Sequence, residues 1–289
     1  MSEKNKVEKS TLYLVATPIG NLADISERAI KVLSEADFIA AEDTRNSMRL
    51  LSALGIKKEL VSYHEHNKKA SGERLVARLL SGESCALITD AGMPAISDPG
   101  EDIVKLCADA GITVSVIPGA CAAVSALSVS GLGTRRFAFE GFLSANKSER
   151  KKQLDKVKHD DRTLIFYEAP HKLRATLADM AEVFGENRKI SLCRELTKLN
   201  EEIFRTTLKG AKLEYSEKEP RGEYVLIVEG ADESAPSDES SDLCALSPEE
   251  HVKKYISDGM PKMDAIKKAA KDRGLSKSDL YKQLVDVEF

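Results

Sequence analysis

"VATPIGNL", residues 15–22, decides how the first hundred residues are read. It closes an apolar run that begins at Leu12 and has the composition of a buried strand. Just beyond it, Asp24 with Glu27 three positions later reads as a helix start, a capping side chain with an acidic partner. The stretch is thus a strand-to-helix turn, where α/β proteins commonly place a cofactor. Yet it has a single glycine, Gly20, where a phosphate cradle needs several.

The same alternation runs outward to about residue 119. Apolar runs at 12–16, 37–41, 59–63, 85–89 and 113–117 are separated by helix-length amphipathic segments. Asp98-Pro99 reads as a further helix start, with proline at the first helical position. Strand–helix alternation at this spacing predicts a doubly wound parallel sheet. In such sheets ligands bind beyond the carboxyl ends of the strands. Here those ends are "TPIGN" (17–21), "AEDTR" (41–45), "TDAGMPAISDPG" (89–100) and "PGACAA" (118–123). Each has a bland alternative: Asp43 or Thr44 capping a helix, Asp90 bracing its own turn. Four such turns in one domain favour a site.

Strands follow at 136–142, 163–169, 189–196, 202–208 and 224–230, with a helix opening at Pro170. The short gap between Leu196 and Ile203 allows a hairpin, so the second sheet reads as mixed. The expected division is an α/β domain at 11–119, a second at 120–230, an acidic flexible linker at 231–246, and a basic helical module at 247–289. Ser247-Pro248-Glu249-Glu250 starts the module. Ala269, Ala270, Gly274, Leu275 and Leu280 have the spacing of a helix-turn-helix, though plain packing explains them as well.

The 289 residues carry 42% hydrophobic and 31% charged side chains, a globular balance with no apolar run of membrane-spanning length. Five scattered cysteines without a CxxC, and an N-terminus lacking a signal-like apolar stretch, suggest a reducing cytoplasm. The net charge of −4 is uneven: setting aside five carboxylates in 231–242 takes it to +1. Bases cluster instead between Arg135 and Lys158, a pattern compatible with phosphate contacts or with a solvated helix face.

A ligand with an adenosine, a sulfonium and an amino acid, but no phosphate, suits these turns: S-adenosylmethionine. It needs backbone carbonyls near the sulfur and a carboxylate for its polar groups, not an anion nest. No GxxxxGK[ST] occurs, which argues against a nucleotidase.

With those residues assembled, the chain resembles the bacterial 16S ribosomal RNA cytidine 2'-O-methyltransferases of the tetrapyrrole methylase superfamily. The resemblance rests on "TPIGNLADIS", "AAEDTR", "DAGMPAISDPG", "LIFYEAPHKL", "RELTKLNEE" and "GEYVLIVEG" in this order, across residues 11 to about 230. It implies a tetrapyrrole-methylase-like fold of two α/β domains with the cofactor in the cleft between them. The cofactor shell it implies holds Pro18, Asp90, Gly92, Met93, Ala120, Cys121 and Ala122. From the second domain it adds Phe166, Tyr167, Cys193, Arg194, Tyr224 and Val225. It further implies a homodimer without metal or membrane, acting on a ribose hydroxyl in the decoding region, with cytidine 1402 the expected position. Met93 and Ala120 stand where threonine and proline are usual. Lys172 stands for an arginine, so the planar fork for a bidentate phosphate contact is missing there.

Methyl transfer to a ribose hydroxyl calls for alignment and a proton acceptor. Candidates for the latter are Glu42, Asp43, Glu168 and His171, with His64 and Glu195 also in view. Candidates for the RNA grip are Arg45, His64, Lys147, Arg150, Lys151, Lys152, Lys172 and Lys198. His64 and His66 would share one face of an extended segment, but no third metal ligand is evident. Two other functions stay open: a tetrapyrrole C-methyltransferase on the same fold, and a non-catalytic ribosome- or DNA-binding factor.

Overall fold

The computed structural model describes residues 6–232, 243, 246–273 and 275–284. Most of the expected acidic linker, together with Cys244 and Gly274, lies outside the described residues. The chain divides into two compact units, Met1–Lys158 with Arg162–Glu229, and His159–Asp161 with Gly230–Phe289.

The first unit opens with β1 (Thr11–Val15), followed by α1 (Glu27–Glu35), β2 (Phe38–Ala41), α2 (Thr44–Ala53), β3 (Leu60–Ser62), α3 (Lys68–Leu80), β4 (Cys85–Ile88), α4 (Glu101–Asp109) and β5 (Thr113–Ile117). The five strands are all parallel, in the order β3-β2-β4-β1-β5. Both faces are covered, which is why the strands read as unbroken apolar runs. Tyr13, Val15, Ile39 and Ile88 pack on one face against α1 and α2. Leu12, Phe38, Ala40 and Leu87 pack on the other against α3 and α4.

Two helix starts differ from expectation. Ser26, not Asp24, caps α1, accepting from the Ala29 N–H at 3.1 Å, while Asn21 caps a short 3-10 turn over Leu22–Asp24. Gly100 precedes α4, and Asp98 makes no cap. Gly100 sits at φ 150°, and a Cβ there would lie 2.9 Å from that of Ala95, so the chain is pressed into a loop rather than a first helical turn.

The second sheet follows α5 (Ala122–Val129): β6 (Phe137–Phe142), α6 (Lys147–Val157), β7 (Thr163–Glu168), α7 (Pro170–Phe184), β8 (Lys189–Arg194), β9 (Glu202–Thr207), α8 (Leu208–Glu217) and β10 (Tyr224–Val228). Its order is β6-β7-β10-β8-β9, with β6 and β7 parallel and the other pairs antiparallel. The period of two separates its faces. Leu164, Phe166, Leu192 and Leu226 bury against α6, α7 and α8. Ile165, Cys193, Val225 and Ile227 pack with Ala123, Ala126 and Leu127 of α5.

The second unit holds α9 (Pro248–Ser257), α10 (Lys262–Asp272) and α11 (Lys277–Gln283). Ser247 and Glu250 form a reciprocal capping box at its start. Ala269, Ala270 and Leu280 are buried in its core with Val252 and Ile266, so their spacing is used for packing. Among the described residues no helix is long and apolar enough to cross a membrane.

Candidate active site

The loops after β1 and β4, neighbours at the centre of the parallel sheet, are stitched together where they leave it. Thr17 N–H donates to Gly92 O at 2.9 Å and Gly92 N–H returns to Thr17 O at 3.1 Å. Gly92 holds φ 83°, and a Cβ there would meet Ile19 Cγ2 at 3.2 Å; one on Gly119 would meet Ala16 Cβ at 2.8 Å. The turns therefore close up only as glycines.

Facing these turns is a cavity of about 410 Å³, within the size range of small-molecule sites. One wall is Ile19, Gly92, Met93, Cys121 and Ala122. The other comes from the second sheet: Tyr167, Cys193, Tyr224 and Val225. Tyr167 is fixed by the Ala123 N–H, which donates to its hydroxyl at 3.2 Å, and by edge-on contacts with Phe139 and Phe142. Eight of the thirteen expected cofactor residues thus line one space. The others divide: Phe166 faces the core on the opposite side of its sheet, and Arg194 pairs with Glu202 at 2.9 Å. Those two offer no side chain to the cavity, because neighbouring strand residues point to opposite faces. Ala120 presents its carbonyl oxygen toward Gly92. Pro18 and Asp90 line an adjoining, more open cavity instead.

Carboxylates dominate the polar lining. Asp98, Glu195 and Glu223 border the main cavity, with Lys198 the cation among them. Burial, with Glu42 and Asp90 nearby, pushes the Asp98 carboxyl up to about 6. Glu42 is likewise raised, by burial first and then by Asp90, although the Asp90 backbone N–H it accepts from pulls the other way. His64 lies close enough to lower it slightly. Asp43 serves α2 as its N-cap, accepting from the Arg45 N–H at 2.8 Å and pairing with that guanidinium, which holds its carboxyl below the usual range. Glu168 is 2% exposed and saturated by the Ala169 N–H, Thr176 and Lys172. Asp43 is thus engaged at the start of α2, while Glu168 is held among its three partners where it also lines the main cavity. His171 stands exposed in the first turn of α7. The His64 and His66 rings meet edge-on at 5.9 Å, and among the described residues no group of three His, Cys, Asp or Glu side chains is arranged to hold a metal ion.

Residues 11–212 match the family described as Tetrapyrrole (Corrin/Porphyrin) Methylases. The chain is 51% identical over 280 residues to "Ribosomal RNA small subunit methyltransferase I" of Halalkalibacterium halodurans, covering 97% of this chain and 96% of that protein. It belongs to the ribosomal RNA small subunit methyltransferase I family of tetrapyrrole methylases. The same-named protein of Bacillus subtilis is 47% identical over 281 residues, covering 97% of this chain and 96% of that one. Among solved structures, the fold is shared with uroporphyrin-III-C-methyltransferase from Thermus thermophilus. That match has a TM-score of 0.53 and 22% identity, over 76% of this chain and 94% of that one. Diphthine synthase shares it at a TM-score of 0.60 and 15% identity, over 76% and 90%.

Of the bases expected to grip RNA, several are engaged within the protein. Arg150 is 5% exposed and joined to Asp179 at 2.6 Å, so it is a strut between α6 and α7 and not a surface contact. Lys172 neutralises Glu168 and reaches Leu143 O. Lys198 binds Glu195 at 2.8 Å and Glu223 at 2.7 Å, its stem lying over Gly20. Lys151 pairs with Glu182. Lys147, Lys152 and Arg45 remain exposed. Sequence reading missed Asp98, Glu223 and Phe142 in the site. The Asp98-Pro99-Gly100 turn carried the signal for the first, read there as a cap; single residues at strand ends gave none for the others.

Proposed function

We propose that this rRNA methyltransferase uses S-adenosylmethionine to methylate the ribose 2'-hydroxyl of a cytidine in the decoding region of 16S rRNA. The observation that carries the cofactor is the lining itself: an apolar slot bordered by Asp98, Glu195 and Glu223, with Lys198 already paired. Such a lining suits a ligand with a sulfonium and an ammonium and rejects a pyrophosphate. Near-full-length kinship with small-subunit rRNA methyltransferases supports the RNA substrate over a tetrapyrrole.

Bound there, S-adenosylmethionine supplies a methyl group on carbon already activated toward an oxygen nucleophile. Ile19, Met93, Tyr167 and Val225 would hold its apolar parts, and the carboxylates its cationic end. Glu42, which lines neither cavity but accepts from the Asp90 N–H at the edge of the adjoining one, is the proton acceptor in this reading. Its raised carboxyl sits nearer to neutrality than a solvated one, which favours general-base work. Arg45, Lys147 and Lys152 would meet phosphates, and the protein would act as a homodimer in the cytoplasm.

Calorimetry of S-adenosylmethionine with the purified protein in a metal chelator tests the cofactor. Micromolar binding is expected. Its absence at millimolar cofactor would refute the assignment, and its loss on adding chelator would refute a metal-free site.

A further inference from the structure

The loop between β8 and β9, residues 195–201, is clamped at its base and carries an uncovered leucine. Arg194 and Glu202 face each other across the last rung of the hairpin and pair at 2.9 Å. Beyond them Glu195 and Thr197 hold φ of 51° and 67°, left-handed values that residues other than glycine rarely adopt. Such backbone persists only where its surroundings over-determine it. Here they do. The Lys198 N–H donates to Glu195 O at 3.0 Å, and the Thr197 N–H donates to Glu201 Oε2 at 2.7 Å. Glu195 Oε1 accepts from both the Glu223 N–H at 3.0 Å and Lys198 Nζ at 2.8 Å. The loop so fixed presents Leu199 with 99% of its surface exposed.

A single exposed apolar side chain is ordinary on a protein surface and by itself means nothing. Leu199 differs in its place. Leu196 and Lys198 beside it line the main cavity, while Leu199 itself lines neither cavity and projects into solvent next to them. We propose that Leu199 is the wedge that enters the RNA stack where the target nucleotide leaves it. The inference rests on the RNA methyltransferase reading and adds how the RNA is opened. A nucleotide whose ribose enters a cavity has to leave its stack, and enzymes that act on nucleotides within folded nucleic acid extrude them. Extrusion uncovers the faces of the neighbouring bases, and apolar side chains, leucine among them, are inserted at such steps. The side chain required is apolar, open to the RNA and carried on backbone that does not give way. Leu199 meets all three conditions. A second copy of the chain would need a contiguous apolar patch. The residues that follow Leu199, Asn200 and Glu201, are exposed and polar instead.

The test uses the full-length protein and small ribosomal subunits from cells lacking it. A second set of subunits is reconstituted with 2-aminopurine, whose fluorescence is quenched by stacking, beside the target nucleotide. Wild type should methylate the first set and raise the fluorescence of the second. Leu199→Ala should lower kcat/KM for transfer about tenfold and leave the fluorescence quenched, because the stack is no longer held open. Leu199→Met, which keeps an apolar wedge, should restore both signals. Cofactor affinity by calorimetry should stay within about twofold of wild type in both variants, since an exposed side chain is changed. Undiminished transfer by Leu199→Ala would overturn the inference, and so would reduced transfer with the fluorescence rise intact. A parallel loss of cofactor affinity would assign Leu199 to the cavity wall and overturn it too. Conversion of a dimer to a monomer in light scattering would assign Leu199 to a second copy, with the same consequence. Wild type that binds cofactor yet transfers nothing to the subunits would refute the RNA reading, and the inference falls with it.

Discussion

Arg150→Ala should cost this protein a large part of its stability, although its position in a lysine-rich helix suggests a harmless surface change. The guanidinium gives Nε and Nη2 to Asp179 Oδ2 at 2.8 and 2.6 Å, and Nη1 to the Ser144 and Ala145 carbonyls at 3.1 and 3.2 Å. Both partners are almost wholly buried, at 5% and 4% exposure. Truncation leaves the Asp179 carboxylate without its cation and two carbonyls without that donor. Breaking such a pair from one side costs about 3–5 kcal/mol, set against a total of about 5–15 kcal/mol for a typical domain. Urea unfolding followed by circular dichroism reads the loss as a lowered midpoint. Arg150→Met combined with Asp179→Leu removes both charges and should recover most of it, because the isolated charge is what costs. A single Arg150→Ala variant within 1 kcal/mol of wild type would refute this account of the α6–α7 seam.

Replacing Lys147 and Lys152 together with alanine should spare folding and cofactor binding. It should flatten the salt dependence of RNA binding by about 0.7–0.9 of slope per lost phosphate contact, and equal slopes would exclude this face as the grip. Glu42→Gln should lower kcat by about 10²–10⁴ with cofactor affinity retained; unchanged kcat would remove Glu42 as the base. Asp98 is ionised at a cost, since burial beside Glu42 and Asp90 raises it from 3.8 to about 6. Its contribution to stability is therefore complete below pH about 4 and lost as pH rises through about 6. Asp98→Asn should stabilise the protein at pH 7 by about 1–2 kcal/mol, discounted for the water that reaches it, and by little at pH 4. The opposite pH trend in thermal melts would contradict the raised carboxyl.

The strands were legible because burial on both faces writes itself as apolar runs, as at "CALIT" and "YVLIVEG". The cleft was legible because four polar turns fall at strand ends, and the three that carry glycine meet around one cavity. Local chemistry misled where neighbours decided. Asp24 and Asp98 both have capping side chains, yet the first ends a 3-10 turn and leaves the cap to Ser26, and a loop crowded at Ala95 and Gly100 carries the second into the cavity. Arg150 looked like its neighbours Lys151 and Lys152 because its partner stands 29 residues away on another helix. Phe166 and Tyr167 are adjacent in sequence, but a strand's period of two sends one to the core and the other to the site.

The central claim is most directly tested by incubating the purified protein with methyl-labelled S-adenosylmethionine and small ribosomal subunits from cells lacking it, then mapping the RNA by mass. One added methyl on the ribose of a single decoding-region cytidine is the predicted result. A methyl on a base, a methyl outside the decoding region, or none while a tetrapyrrole accepts the label, would contradict the account.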